Sequence, residues 1–175
     1  GFVASEICKC AETVEAELIL MGTHGSSGFR EFFIGSNAYA VVKYASCPVL
    51  TIPLSGKWDS FSKILFPVRD TPDALHKYDF LRKIIRKNNA VLHVLGIPGT
   101  DHIASQDWVG KRIQALKQKL RADDVECISQ ILKPTERVAE AVLSSTESLK
   151  ADLVAITATL DYSIRDFFIG PFTQQ

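Results

Sequence analysis

Three glycines at a fixed spacing constrain this chain more than any other feature. The pattern is Gly-x2-Gly-x9-Gly-Ser-Asn, and its members are Gly22, Gly25, Gly35, Ser36 and Asn37. The uncharged apolar run at 18–21 comes directly before it and predicts a strand that is buried on both faces, as parallel sheets require. Glycines directly after such a strand let the backbone turn sharply and approach a ligand without an intervening Cβ.

The third glycine stands where a helical pattern begins. One face of that predicted helix carries Ala38, Val41, Val42 and Ala45. The free N–H groups at the start of a helix, together with the helix dipole, attract an anion such as phosphate. The pattern thus contains a turn, then a close backbone approach, then the start of a helix. This order favours a nucleotide-binding site over a metal site or a catalytic nucleophile.

The glycine spacing with its flanking strands resembles the nucleotide-binding signature of the universal stress protein family. The resemblance implies an adenine nucleotide, ATP or another, with or without magnesium. The residues that it places on the phosphate and ribose side are Met21, Gly22, Gly25, Gly35, Ser36 and Asn37. His24 lies inside the same loop within reach of a phosphate, and a solvent-exposed loop histidine without a role is the alternative. No residue is assigned a catalytic role.

Apolar strands alternate with amphipathic helices along the chain. Further strands are predicted at 48–52, 63–68, 90–95, 125–132 and 152–156. At the start of the chain, an apolar stripe of Val3, Ile7, Cys10 and Val14 predicts a helix that buries Cys10. This alternation predicts an α/β fold, a doubly wound parallel sheet with helices on both faces. The family resemblance narrows this to the adenine nucleotide alpha hydrolase-like architecture.

An internal repeat predicts the domain layout. The segment 29–35, Phe-Arg-Glu-Phe-Phe-Ile-Gly, returns at 164–170 as Ile-Arg-Asp-Phe-Phe-Ile-Gly. An offset of this size is that of a whole domain. Residues 1–54 are therefore expected to be the C-terminal part of a first universal stress domain. Residues 61–175 are expected to be a second one that lacks its last helix and strand, so the natural protein is expected to be a longer tandem.

The second repeat departs from the family pattern at the expected site. Aligned on the shared motif, Thr157 replaces Gly22, Leu160 replaces Gly25 and Pro171 replaces Ser36. The family usually has an acidic residue at the end of its first strand, where this chain has Arg69. The sequence therefore predicts that nucleotide binding belongs to the first repeat.

Composition limits the partners. Twenty basic and twenty acidic residues cancel, which argues against a broad nucleic-acid surface. No apolar run approaches the roughly 20 residues that cross a bilayer, and four cysteines without framework spacing favour a reducing, cytoplasmic environment. The family's habit of pairing through its terminal strand predicts a homodimer or an intramolecular pseudo-dimer through 49–52.

Two functions of different classes are compatible with these patterns. The first is an ATP-binding stress-response sensor or regulator that acts through the loop of the first repeat. The alternative is an interaction scaffold of paired universal stress domains without a nucleotide. An enzyme is the weakest hypothesis, at most with weak ATP hydrolysis, because no lysine follows the glycines as in a P-loop and no paired carboxylates attend them.

Overall fold

The computed structural model describes residues 2–23, 35–53, 60–69, 76–100 and 104–157. These residues fall into two units, residues 2–53 and residues 60–157. Each unit is an α/β arrangement around a parallel sheet.

The first unit contains two helices and two strands. In chain order they are α1 (Val3–Thr13), β1 (Ile19–Gly22), α2 (Ser36–Tyr44) and β2 (Val49–Ile52). The strands are parallel and in register from Ile19 opposite Val49 to Gly22 opposite Ile52. The carboxyl ends of both strands therefore lie at the same edge of the sheet.

Small residues form the contact between α1 and the rest of this unit. Ala4, Cys8 and Ala11 are buried in a cluster with Ile19 of β1 and Val41 of α2. The predicted stripe with Cys10 is therefore wrong, because Cys10 is exposed, as are Val3 and Val14. Both stripes have helical spacing. The smaller side chains are on the buried side, where α1 contacts α2.

The prediction that β1 is buried on both faces is also wrong. Ile19 is buried, but the next side chain, Leu20, points to the other face and is 61% exposed. Neighbouring residues of a strand alternate between faces. The cluster with α1 and α2 contains Ile19 and Met21 but not Leu20, so it covers one face of β1.

The second unit continues the alternation of strands and helices. Its elements are β3 (Lys63–Val68), α3 (His76–Asn88), β4 (Val91–Gly96), α4 (Ser105–Ala122), β5 (Cys127–Ile131), α5 (Val138–Leu149) and β6 (Leu153–Val154). The strands form one parallel sheet in the order β5-β4-β3-β6. The first strand of the unit is thus central, with β4 and β5 on one side of it and β6 on the other.

Helices cover both faces of this sheet. Ile64 and Phe66 of β3 belong to one core cluster with α3 and α4, which present Tyr78 and Leu116 among others. The helix α5 packs against β3, and its buried Val142 lies outside that cluster. The predicted fold class, a parallel sheet wound with helices on both faces, is therefore confirmed. The repeated segments at 29–34 and 164–170 lie outside the described residues, and the tandem arrangement stays a prediction.

Candidate functional site

A backbone hydrogen bond closes the predicted nucleotide loop at its base. The N–H of Gly35 donates to the carbonyl oxygen of Thr23 at 2.6 Å. Thr23 is held in turn, because its N–H donates to the carbonyl of Ile52 at the end of β2 at 3.0 Å. The end of β1 and the start of α2, separated by the loop 24–34 in sequence, are therefore neighbours in space.

The N-terminus of α2 has no side-chain cap. Its N-cap residue, Gly35, has extended backbone angles and makes no side-chain cap hydrogen bond, and the first turn has no acidic residue. The first N–H groups of any α-helix have no partner within the helix. Ser36 and Asn37 are exposed at this position. An anion could therefore bind here to the backbone N–H groups and the Ser36 hydroxyl, and the helix dipole would favour it. No carboxylate of the first turn competes for this position.

The structure brings together four of the seven predicted site residues. Gly22 lies exposed at the carboxyl end of β1, directly before Thr23, whose carbonyl oxygen bonds Gly35. Ser36 and Asn37 follow Gly35 as the first residues of α2. Met21 is different, because its side chain packs against the core cluster of the first unit and leaves only its backbone for a ligand. His24 and Gly25 lie outside the described residues.

Two residues that make contacts near the carboxyl ends of strands were not singled out from the sequence. One is Thr23, whose carbonyl oxygen holds the start of α2, a role that any residue could play and that no side-chain pattern reveals. The other is Lys77 in the second unit. Its Nζ donates to the carbonyl of Pro67 at 2.7 Å and lies 4.8 Å from the centre of the Phe66 ring. Burial lowers the pKa of this ammonium group from 10.5 to about 8.

Metal centres and membrane-spanning helices are two further features to consider in the described residues. Within 2–23, 35–53, 60–69, 76–100 and 104–157, no group of three or more His, Cys, Asp or Glu residues converges as a metal site. Over that same part of the chain, no helix has the length and apolar character needed to cross a membrane.

The comparisons with known proteins define the class to which this fold and loop belong. Residues 1–53 match the model of the universal stress protein family. The fold agrees, because 86% of this chain superposes on a solved universal stress protein. Residues 1–53 therefore belong to the universal stress protein family, and the chain as a whole resembles solved members of that family in fold.

Particular relatives match different parts of the chain. Universal stress protein MJ0531 of Methanocaldococcus jannaschii is 46% identical over 52 residues, which are 30% of this chain and 31% of that protein. The Na(+)/H(+) antiporter NhaS5 of Synechocystis is 30% identical over 120 residues, which are 67% of this chain and 16% of the antiporter. The chain thus spans less than a third of the length of either relative.

Solved structures support the fold. A universal stress protein from Archaeoglobus fulgidus superposes with a TM-score of 0.65 at 19% identity, over 86% of this chain and 53% of that one. The protein PA1789 from Pseudomonas aeruginosa superposes with a TM-score of 0.57 at 15% identity, over 87% of this chain and 56% of that one. At these identities the likeness concerns the fold alone.

Proposed function

We propose that the first unit binds the phosphates of an adenine nucleotide, ATP or another, between Gly22 and Ser36, and that the protein acts as a stress-response regulator. The observation that carries the proposal is the 2.6 Å hydrogen bond from Gly35 to Thr23. It sets an uncapped helix N-terminus beside a glycine at a strand end. Such an arrangement suits phosphate oxygens, which accept hydrogen bonds from backbone N–H groups.

Regulation follows if nucleotide and partner binding are coupled. Phosphate contacts at the end of β1 and at the start of α2 change the surface that these elements offer to a partner. A nucleotide can shift such an equilibrium only by its difference in affinity for the two states of the protein. We therefore expect a regulator or sensor, with magnesium optional. Hydrolysis, if any, is weak.

The domain layout is part of the proposal. We take residues 1–54 as part of one universal stress domain and residues 61–175 as part of a second. Nucleotide affinity is therefore best measured on a protein that contains both domains.

Calorimetry of ATP binding with paired variants tests the site. Ser36→Ala removes a hydroxyl at the helix start, whereas Ser46→Ala removes an exposed hydroxyl beyond the end of α2. We expect Ser36→Ala to weaken binding by roughly tenfold, the value of one hydrogen bond to a charged group, and Ser46→Ala to leave it unchanged.

A second pair of variants tests the asymmetry of the repeats. Gly25→Leu should abolish ATP binding, because a branched side chain fills the place of bare backbone, and Leu160→Gly alone should not alter it. Unchanged affinity and stoichiometry in Gly25→Leu would refute the phosphate loop. The scaffold without a nucleotide would then be the better description.

The match to the antiporter supports a second candidate. It covers 120 residues of this chain, more than twice the length of the match to MJ0531. In this alternative the two units are the regulatory part of a larger cation antiporter. Antibodies against this chain decide the matter in source cells. A much larger polypeptide in the membrane fraction supports the antiporter, and a soluble polypeptide of tandem-domain size supports the free stress protein.

A further inference from the structure

The strand β5 lies at one edge of the second sheet. In the described part of the chain it pairs with β4 alone, so its other side offers a row of backbone groups to a further strand. Proteins usually protect such an edge with charged side chains, with proline or with a bulge. The sequence of β5 is Cys-Ile-Ser-Gln-Ile, and its register with β4 is unbroken over five residue pairs. The residues of β5 therefore do not themselves protect this edge.

The hydrogen bonds to β4 show which backbone groups of β5 face outwards. Leu92 of β4 donates to the carbonyl of Glu126 at 3.0 Å, and Leu132 donates to the carbonyl of Gly96 at 2.8 Å. In a parallel sheet the N–H and C=O groups of alternate residues point to the same neighbouring strand. The residues of β5 whose backbone groups point away from β4 are therefore Cys127, Ser129 and Ile131.

A groove runs between this edge and α4. Its volume is about 620 Å³, and its lining residues include Gly110, Lys111, Gln114, Gln118 and Ile131. The lining residues from α4 are three or four positions apart, so they share one side of that helix. Ile131 is 43% exposed, and a Cβ on Gly110 would meet nothing within 4 Å. The groove therefore has room for side chains of a strand that is added to β5.

Two lysines of α4 give this side of the edge a positive charge. Lys111 lines the groove, and its Nζ lies 5.5 Å from the centre of the Trp108 ring. Burial raises the pKa of the Cys127 thiol, and the positive charge of Lys117 opposes that rise, so Lys117 is near the first residue of β5. Asp107 also lines the groove, but neither lysine forms an ion pair with a carboxylate of the described residues. The charges favour an acidic occupant.

The other face of β5 is apolar at this edge. Cys127 packs against the core cluster that contains residues of α4, and neighbouring residues of a strand alternate between faces. Ile128 therefore points to the face opposite α4, where it is 54% exposed. An added strand with apolar residues on that face would cover Ile128.

We propose that β5 binds an extended segment of a partner protein in which acidic and apolar residues alternate. The segment adds a strand to the sheet through backbone hydrogen bonds. Its acidic side chains face Lys111 and Lys117, and its apolar side chains cover Ile128. A second copy of this chain, paired through the same edge, would bring the lysines of its own α4 to the same face, and like charges oppose such pairing. The surface lies wholly within the second unit, and the proposal does not depend on nucleotide binding by the first.

Nuclear magnetic resonance of the full chain, titrated with two synthetic peptides, tests the proposal. The probe is a heptapeptide that alternates glutamate with valine, and the control peptide has lysine in place of each glutamate. We expect the acidic peptide to shift the backbone amide signals of Cys127, Ser129 and Ile131 along one saturable curve and to slow their hydrogen exchange. Its affinity should fall as salt is added, because salt screens the lysines. The lysine peptide should not saturate these signals.

A proline in β5 tests the backbone pairing. Ser129→Pro removes an outward N–H and leaves the hydrogen bonds to β4 in place, as edge strands allow. We expect it to weaken binding of the acidic peptide by about tenfold, the value of one hydrogen bond. Ser129→Ala keeps the N–H, so it should bind like the parent.

Lysine variants test the charge recognition without changing the backbone. Lys111→Gln and Lys117→Gln should each weaken binding of the acidic peptide by up to about fivefold. Lys87→Gln should leave it unchanged, because Lys87 is exposed in the last turn of α3.

Three results would overturn the proposal. The first is an acidic peptide that binds no more tightly than the lysine peptide. The second is unchanged affinity in Ser129→Pro or in both lysine variants of α4. The third is protection of the three outward amides in the protein without peptide that increases with protein concentration, because a second copy would then occupy the edge.

Discussion

The hydroxyl of Tyr78 donates a hydrogen bond to Oδ2 of Asp123 at 2.7 Å, which joins α3 to the residue directly after α4. Oδ1 of the same carboxylate accepts from Arg82 at 3.4 Å and from Arg86 at 3.2 Å. Tyr78 is fully buried, so its hydroxyl has little access to water as a substitute partner. One carboxylate therefore holds three side chains of α3 at the end of α4.

Replacing Tyr78 with phenylalanine should destabilise the second unit. The change removes one hydrogen bond to a charged acceptor and keeps the ring, so a loss of about 1–3 kcal/mol is expected. Urea unfolding followed by circular dichroism measures it. Tyr44→Phe is the control, because Tyr44 is 65% exposed. Equal midpoints for Tyr78→Phe and the parent would contradict the role of the hydrogen bond.

The hydrogen bond between Tyr78 and Asp123 also predicts how the stability of the protein changes at low pH. The pKa of Asp123 is held below its usual 3.8, chiefly because the carboxylate accepts a hydrogen bond from Tyr78. Burial opposes this by raising the pKa, and the positive charges of Arg82 and Arg86 lower it further. A lowered carboxyl pKa contributes stability that is complete above the unfolded value and is lost as pH falls through the folded one. Stability should therefore fall less steeply below about pH 4 in Tyr78→Phe than in the parent. Parallel pH profiles for the two proteins would count against this assignment.

Gly96 of β4 and Gly110 of α4 differ in the space that each leaves for a side chain. A Cβ on Gly96 would lie 2.8 Å from Cδ1 of Ile113 and 2.9 Å from Cγ1 of Val109, whereas one on Gly110 would meet nothing within 4 Å. Gly96→Ala should cost about 1–3 kcal/mol through overpacking. Gly110→Ala should stabilise by up to about 1 kcal/mol, since alanine favours a helix. Thermal unfolding measures both, and the same sign of effect for both variants would refute this reasoning.

The elements with one apolar stripe could be predicted from the sequence. In α4, Val109, Ile113, Leu116 and Leu120 are all buried, because the opposite face of that helix is polar. In α1 two stripes have helical spacing, and the larger residues suggested the wrong one. The structure buries the small residues Ala4, Cys8 and Ala11 on the side where α1 contacts α2. Which stripe faces α2 is a tertiary property, which periodicity does not contain.

The site was predictable only in part, for a similar reason. Glycine spacing located the strand end and the helix start, because both depend on local backbone freedom. The bond between Gly35 and Thr23 uses backbone atoms alone, so no residue type signals it. The contact of Lys77 with Pro67 depends on the path of a long side chain across ten residues of chain.

Lys77 should make the protein more stable at alkaline pH. Below pH 8 its ammonium is charged in both states, and the folded state bears the cost of burial. Between about pH 8 and 10.5 the folded chain releases this proton first, so the free energy of unfolding rises with pH, by at most roughly 3 kcal/mol. Lys77→Met should be more stable than the parent at pH 7, and this advantage should shrink by pH 10. Urea unfolding at both values measures the difference, and a constant difference would contradict the lowered pKa.

The outer edge of β2 should mediate self-association. In the described part of the chain β2 pairs with β1 alone, so its other side offers a row of backbone groups, which proteins seldom leave bare. Ile19 donates to the carbonyl of Pro48, and Thr23 donates to that of Ile52. In a parallel sheet the N–H and C=O groups of alternate residues point to the same neighbouring strand. The backbone groups of Leu50 therefore point towards β1, and those of Val49 and Thr51 point outwards.

A proline at Thr51 tests this pairing without cutting the bonds to β1. Thr51→Pro removes one outward N–H, and Thr51→Val keeps it with a similar shape. We expect the parent and Thr51→Val to elute as dimers in size-exclusion chromatography with light scattering, and Thr51→Pro to shift towards monomer. If all three proteins show the same mass, β2 is not the association edge, and pairing through 49–52 is refuted for this chain.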